Sequence, residues 1–213
     1  MKKLLIWGAG DQGTATLNCA IAMNEYDQID FLDFKEKGHR EISGFTIYEE
    51  VEEDIHHLLK KYDEVIVATG DNDLREKKIL QLKSMNIQPA TIIHPTAAIS
   101  PYAKVSKGCT VSAAASININ AQIGIGCIVN TGVIIEHDCI VRDFVNICPA
   151  VAMAGHAVIG YKTFIGIGST VIDGVTIGEN VTIGAGAVVI GNIPDNTVAV
   201  GVPAKVLKTK TEM

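Results

Sequence analysis

The sequence predicts two architectures in series: a short α/β segment with a parallel sheet, then a left-handed parallel β-helix of hexapeptide repeats. Two observations predict them. Aliphatic residues recur every six positions without interruption from Ile93 to Val189. Before them, strand-like and helix-like stretches alternate around a glycine turn.

Residues 1–92 read as β-α-β. Lys3 to Trp7 is a strand, Asp11 to Met23 a helix and Ile29 to Asp33 a strand. Val51 to Lys60 is a helix, Glu64 to Ala68 a strand, Leu74 to Met85 a helix and Ala90 to Ile93 a last short strand. That alternation implies a parallel sheet. Gly8-Ala9-Gly10-Asp11-Gln12-Gly13 is a complete G-x-G-x-x-G between strand and helix, and Asp33 ends the second strand. The pattern points to phosphate on the helix N-terminus and a ribose or base at Asp33. Roughly 90 residues supply little more than one βαβαβ half, so one nucleotide fits better than a dinucleotide. The structural alternative is that the glycines only permit tight helix–strand packing. A second turn, Thr69-Gly70-Asp71-Asn72-Asp73, follows the Glu64 strand, where open sheets bind ligands. Arg75 beside it suits either a phosphate or a solvated helix face.

Residues 93–213 carry the prism and a C-terminal tail. The sixfold register is Ile93, Ile99, Val105, Val111, Ile117 and so on to Val189, and four positions after each comes a second set, most of them small, as at Cys109, Ala115 and Cys127. Each hexad is one short strand and a corner, and three hexads make one coil. Cys109 and Cys127 then stack in successive coils. A metal or disulfide pairing competes there with small corner-fillers, and their place in the small-residue register favours filler.

Composition excludes several classes. A net charge of −6 without a basic run argues against nucleic acid. No apolar run is long enough to span a membrane, and Leu4 to Trp7 is too short for a signal-peptide core. Five cysteines with no CxxC suit reduced thiols in a cytoplasmic protein.

Of six histidines, His39, His56 and His57 read as solvated, and His94 as structural before Pro95. His137 lies in Glu136-His137-Asp138, which reads equally as a surface histidine in a charged strand or as a base whose tautomer Asp138 fixes, leaving Nε2 free. His156 lies about one coil further on.

The whole chain resembles the NeuD-type sugar O-acyltransferases, which include bacterial N-acetyltransferases of nucleotide-linked 4-amino sugars. The resemblance rests on the glycine-loop α/β segment, Ile93-His94-Pro95-Thr96 at the joint, Glu136-His137-Asp138-Cys139 in mid-prism and Gly201-Val202-Pro203-Ala204-Lys205 at the end. It implies acetyl-CoA as co-substrate, no metal, and a homotrimer. It implies His137 as base and Asp138 as its partner. Asn130 would lie near the thioester, with Gly155 and Ile167 along the pantetheine. Gly8, Gly10, Asp33, Gly70 and Asn72 would hold the nucleotide sugar. The family often has a second histidine nine residues after the base; here the position is Asn146, which keeps an amide donor for the thioester oxygen. The expected reaction is direct acetyl transfer to a sugar amine. Rival readings are transfer to a hydroxyl of a sugar or sialic acid, a γ-carbonic-anhydrase-like zinc hydratase, a nicotinamide oxidoreductase and a non-catalytic scaffold.

Overall fold

The computed structural model describes residues 1–34, 42–51 and 55–210. His39 and the last three residues of the tail lie outside them.

The α/β segment contains β1 (Lys3–Trp7), α1 (Asp11–Met23), β2 (Gln28–Asp33), β3 (Ile47–Glu49), α2 (Ile55–Leu59), β4 (Glu64–Val67) and α3 (Asn72–Ser84). Its four strands are all parallel, in the order β3-β2-β1-β4. Alternation sends Leu4 and Ile6 to the face covered by α1, and Leu5 and Trp7 to the face covered by α2 and α3. The order reverses between β1 and β4, which opens a crevice at their carboxyl ends.

Three expectations change. The helix expected over Val51–Lys60 is shorter among the described residues, Ile55–Leu59. β3 was not foreseen. The strand expected over Ala90–Ile93 divides: Ala90 donates to the Val65 carbonyl at 2.7 Å at the edge of the α/β sheet, whereas Ile92–Ile93 is the first rung of the prism.

From there the chain is a left-handed parallel β-helix. Seventeen two-residue strands run from Ile92–Ile93 to Val188–Val189, and the second residue of each is the aliphatic of the sixfold register. Successive coils pair in parallel with a shift of eighteen residues, as Ile128 with Asn146 and Asn146 with Phe164. The first face of the prism contains Ile128–Val129, the second Ile134–Ile135 and the third Ile140–Val141. Val111, Val129, Ile147 and Ile165 fill the interior without exposure. The chain closes with Thr197–Val200 and Lys205–Thr209, an antiparallel pair at the end of the first face.

The polar members of the small-residue register obey one rule. The thiols of Cys109, Cys127 and Cys139 donate to the carbonyls of Gly124, Arg142 and Ala154, each at 3.1 Å. The hydroxyls of Thr163 and Ser169 donate to Gly178 and Gly184 at 2.7 and 3.0 Å. Every one of these links reaches fifteen residues ahead, to the next coil. A buried column tolerates Cys, Thr and Ser because a carbonyl of the following coil takes the hydrogen. Cys109 and Cys127 are free thiols, not a disulfide. Burial, with the neighbouring Cys109, pushes Cys127 well above the ordinary thiol range.

The α/β segment is fastened to the first face and to the edge between the third and first faces. Arg75 is fully buried. Its Nε donates to the Gly126 carbonyl at 2.7 Å, Nη1 to Thr69 at 2.9 Å, and Nη2 to Phe144 at 2.8 Å and to Asn72 Oδ1 at 2.7 Å. Burial lowers its guanidinium to about 10, which still leaves a cation at neutral pH. Neither a phosphate nor a solvated face is its role. Outside this clamp, Lys162 on the prism pairs with Asp73 and Glu76 of α3, each at 2.6 Å.

Candidate active site

The first part of the site is the crevice between β1 and β4. It encloses about 580 Å³, lined among others by Gly8, Gly10, Gln12, Asp33, Phe34, Gly70 and Lys78. Gly8 has φ +127, and a Cβ there would strike the carbonyl of Ala68, just past the end of β4. A Cβ on Gly13 would strike the Gly8 carbonyl. Gly8 and Gly13 therefore serve close packing, whereas a Cβ on Gly10 would meet nothing; Gly10, as the N-cap of α1, leaves the first helical N–H groups without a side-chain cap. Asp33 accepts from Ala9 N–H at 2.9 Å and Phe34 N–H at 2.8 Å, one on each oxygen. It shapes the turn and keeps its carboxylate at the crevice wall.

Lys78 closes the floor. Its Nζ meets Glu50 Oε2 at 2.6 Å and lies 4.2 Å from the centre of the Trp7 ring and 4.3 Å from that of Phe34. Trp7 Nε1 donates to the same Glu50 oxygen at 2.8 Å. Sequence reasoning missed Lys78 and Phe34. Phe34 follows Asp33 at the carboxyl end of a strand, a signal that was present; Lys78 looks like any helix lysine.

Asn72 does not join this crevice. Its Nδ2 donates to the Lys162 carbonyl at 2.8 Å and its Oδ1 accepts from Arg75. The amide is part of the clamp.

The second part lies at the edge between the second and third faces. His137 Nδ1 and Asp138 Oδ2 are 2.9 Å apart. An ionised carboxylate only accepts, so Nδ1 carries the hydrogen and Nε2 keeps its lone pair. The hydrogen bond from His137, and then that from Asn120, hold the Asp138 carboxyl below the ordinary carboxylate range. The Asn120 amide donates from one coil below, at 3.0 Å. Above His137 stacks Gly155, eighteen residues on. A Cβ on Gly155 would lie 2.5 Å from Cε1 and 2.7 Å from Nε2 of the imidazole. The absent side chain is what lets the ring lie across the next coil, where it meets His156 edge-on with centroids 5.1 Å apart. The His137 side chain is 47% exposed. Gly155→Ala is expected to displace the ring by about an ångström and lower kcat by up to about 10²-fold with little change in KM; steady-state kinetics check this.

Asn130 and Asn146 sit elsewhere. Asn146 lies on the first face, almost buried. Its Oδ1 accepts from Asn130 at 3.2 Å, and its Nδ2 donates to the Gly70 carbonyl at 3.3 Å. Within one chain its side chain is tied to the Gly70 turn, not to His137. Asn130 and Ile167 occupy the edge between the first and second faces, where Ile167 is 55% exposed. One chain therefore carries the expected site residues on two separate edges.

Comparison with known proteins identifies the family. The PglD N-terminal domain model matches residues 3–82, and the bacterial transferase hexapeptide model (six repeats) matches 156–191. No curated protein gives a significant match. Among solved structures, a perosamine N-acetyltransferase variant from Caulobacter crescentus, in complex with CoA and GDP-perosamine, superposes with a TM-score of 0.91. It is 31% identical, with 98% of each chain covered. The acetyltransferase domain of PglB from Neisseria gonorrhoeae gives 0.88 at 32% identity, covering 97% of this chain and all of that one. WeeI from Acinetobacter baumannii, 21% identical with a TM-score of 0.86, shares the fold. With identity above 30% sustained along essentially the full length of the Caulobacter enzyme, this chain belongs to the NeuD-type family of hexapeptide-repeat sugar acyltransferases.

Proposed function

We propose that this protein transfers the acetyl group of acetyl-CoA to the amino group of a nucleotide-linked sugar in the cytoplasm. The observation that carries this reading is the likeness, over almost every residue, to an enzyme held with CoA and GDP-perosamine. No helix among the described residues is long and apolar enough to cross a membrane.

The crevice receives the nucleotide. Phosphate oxygens meet the N–H groups at Gly8 and Gly10, and the nucleoside lies against Asp33, Phe34 and Gly70. The sugar amine attacks the thioester carbonyl carbon. His137 Nε2 takes the amine proton as the C–N bond forms, and Asp138 stabilises the imidazolium. Collapse breaks the C–S bond and releases CoA, whose sulfur receives a proton. Acetyl-CoA runs past Gly155 and Ile167, with Asn130 and Asn146 near the acetyl end.

Those groups lie on different edges of one prism, and a homotrimer reunites them. The His137 edge of one chain then faces the Asn130 and Ile167 edge and the crevice of the next. The units 1–92 and 93–213 divide the work as nucleotide-sugar holder and acyl-transfer prism.

Calorimetry tests the acceptor side. GDP- or UDP-linked 4-amino sugars should bind one per chain, and NAD(H) should give no heat. Tight NAD(H) binding with no response to any nucleotide sugar would sink the reading.

A further inference from the structure

We propose that His137, Asp138 and His156 form a divalent transition-metal site, with zinc as its representative ligand, and that its occupation switches acetyl transfer off.

The site is built by the eighteen-residue stacking. Asp138 and His156 hold the same corner position in successive coils, and both have left-handed backbones, φ +59. Their side chains therefore leave the prism side by side. His137 comes from the lower coil and crosses Gly155 to reach the upper one. One ligand atom from each of the three residues lies within 4.8 Å of the others. Tetrahedral zinc with bonds of about 2.0–2.1 Å sets its ligands about 3.3 Å apart. Exposed side chains reach that spacing by small rotations about their side-chain bonds, without moving the backbone. Two imidazoles and a carboxylate are a three-ligand zinc set with a fourth position for water. Asn120 fixes the carboxylate from the coil below, as an outer partner of a metal ligand does.

The inhibitory consequence follows from the electron count of imidazole. Neutral imidazole has one ring-nitrogen lone pair and one N–H. If the metal takes the lone pair at Nε2, the base is blocked directly. If it takes Nδ1, the hydrogen moves to Nε2 and the lone pair is again lost. No redox step or further reactant is needed. The metal is not a cofactor here: it competes with the proton that His137 must accept. This half of the proposal rests on the assignment of His137 as base; the binding half does not.

The experiment uses tag-free, chelator-treated full-length protein and zinc chloride as the probe. Isothermal titration without substrates should show one zinc per chain, and His156→Ala should weaken that binding by about tenfold or more. At a zinc concentration that saturates the wild type, acetyl transfer should stop and return on adding chelator. His156→Ala should stay active at the same concentration. Equal zinc binding by wild type and His156→Ala, or binding by neither, would overturn the site. His156-dependent binding that leaves transfer unaffected would overturn the inhibition and, separately, count against His137 as base.

Discussion

His137→Ala should lower kcat/KM for acetyl transfer by about 10²–10⁴-fold while leaving acetyl-CoA binding and assembly nearly intact. In the proposed mechanism the imidazole acts on a proton that moves only in the transition state, so its loss is expected in turnover and not in ground-state affinity. The fold should not suffer. The side chain is half exposed, and its hydrogen bonds are to an exposed aspartate, so removal leaves no buried group unsatisfied. Asp138→Asn should cost less. The asparagine loses the charge that stabilises imidazolium but keeps an oxygen able to accept from Nδ1. Release of CoA thiol, followed with one active acceptor, measures both variants. Wild-type turnover in His137→Ala together with a dead His156→Ala would mean that the base is His156.

Arg75→Ala should destabilise the protein by at least about 3 kcal/mol. Among the described residues, the guanidinium is the one group that joins the carbonyls of Thr69, Gly126 and Phe144 with Asn72. Truncation strands several buried acceptors at once, and each unsatisfied group costs about 1–3 kcal/mol. Arg75→Lys should recover little, because a single ammonium cannot donate in the directions of a planar fork. The defect should also reach the site, since Thr69 and Gly70 line the crevice and Gly70 accepts from Asn146. Urea denaturation of the variants measures the loss. A midpoint unchanged from wild type would show that water replaces the guanidinium and that the clamp contributes no stability.

These two residues also show how far the sequence could be read. His137 was legible because its partner is adjacent in sequence and the sixfold register places both at an exposed corner. The prism was legible throughout, because seventeen aliphatics in one register admit one folding period; all seventeen strands fall where the register puts them. β1 and α1 coincide with their expected bounds, since a glycine turn separates a clean apolar run from a helical one. Arg75 was not legible. A charged residue on a helix whose neighbours are Glu76, Lys77 and Lys78 looks solvated, and its partners are carbonyls 51 and 69 residues away. The part Asn72 takes in the same clamp was hidden for the same reason. β3 escaped notice because Ile47–Glu49 is a three-residue edge strand with two exposed side chains. Asn146 was matched to its position in the family pattern, but only the three-dimensional prism shows that it lies on a different face from His137.

Gly155 illustrates a middle case. Its position in the register predicts that it stacks on His137, but glycine is common at these corners and nothing in its spelling singles it out. Its function appears only when a Cβ is placed on it and meets the imidazole.

The proposed acceptor is a sugar amine carried on a nucleotide. The most direct measurement is CoA thiol release from acetyl-CoA with a pair of GDP- or UDP-linked sugars that differ only in bearing an amine or a hydroxyl at the same carbon. Release is expected with the amine, together with an N-acetyl product by mass spectrometry, and no release above hydrolysis with the hydroxyl. Release with the hydroxyl and not with the amine would contradict it.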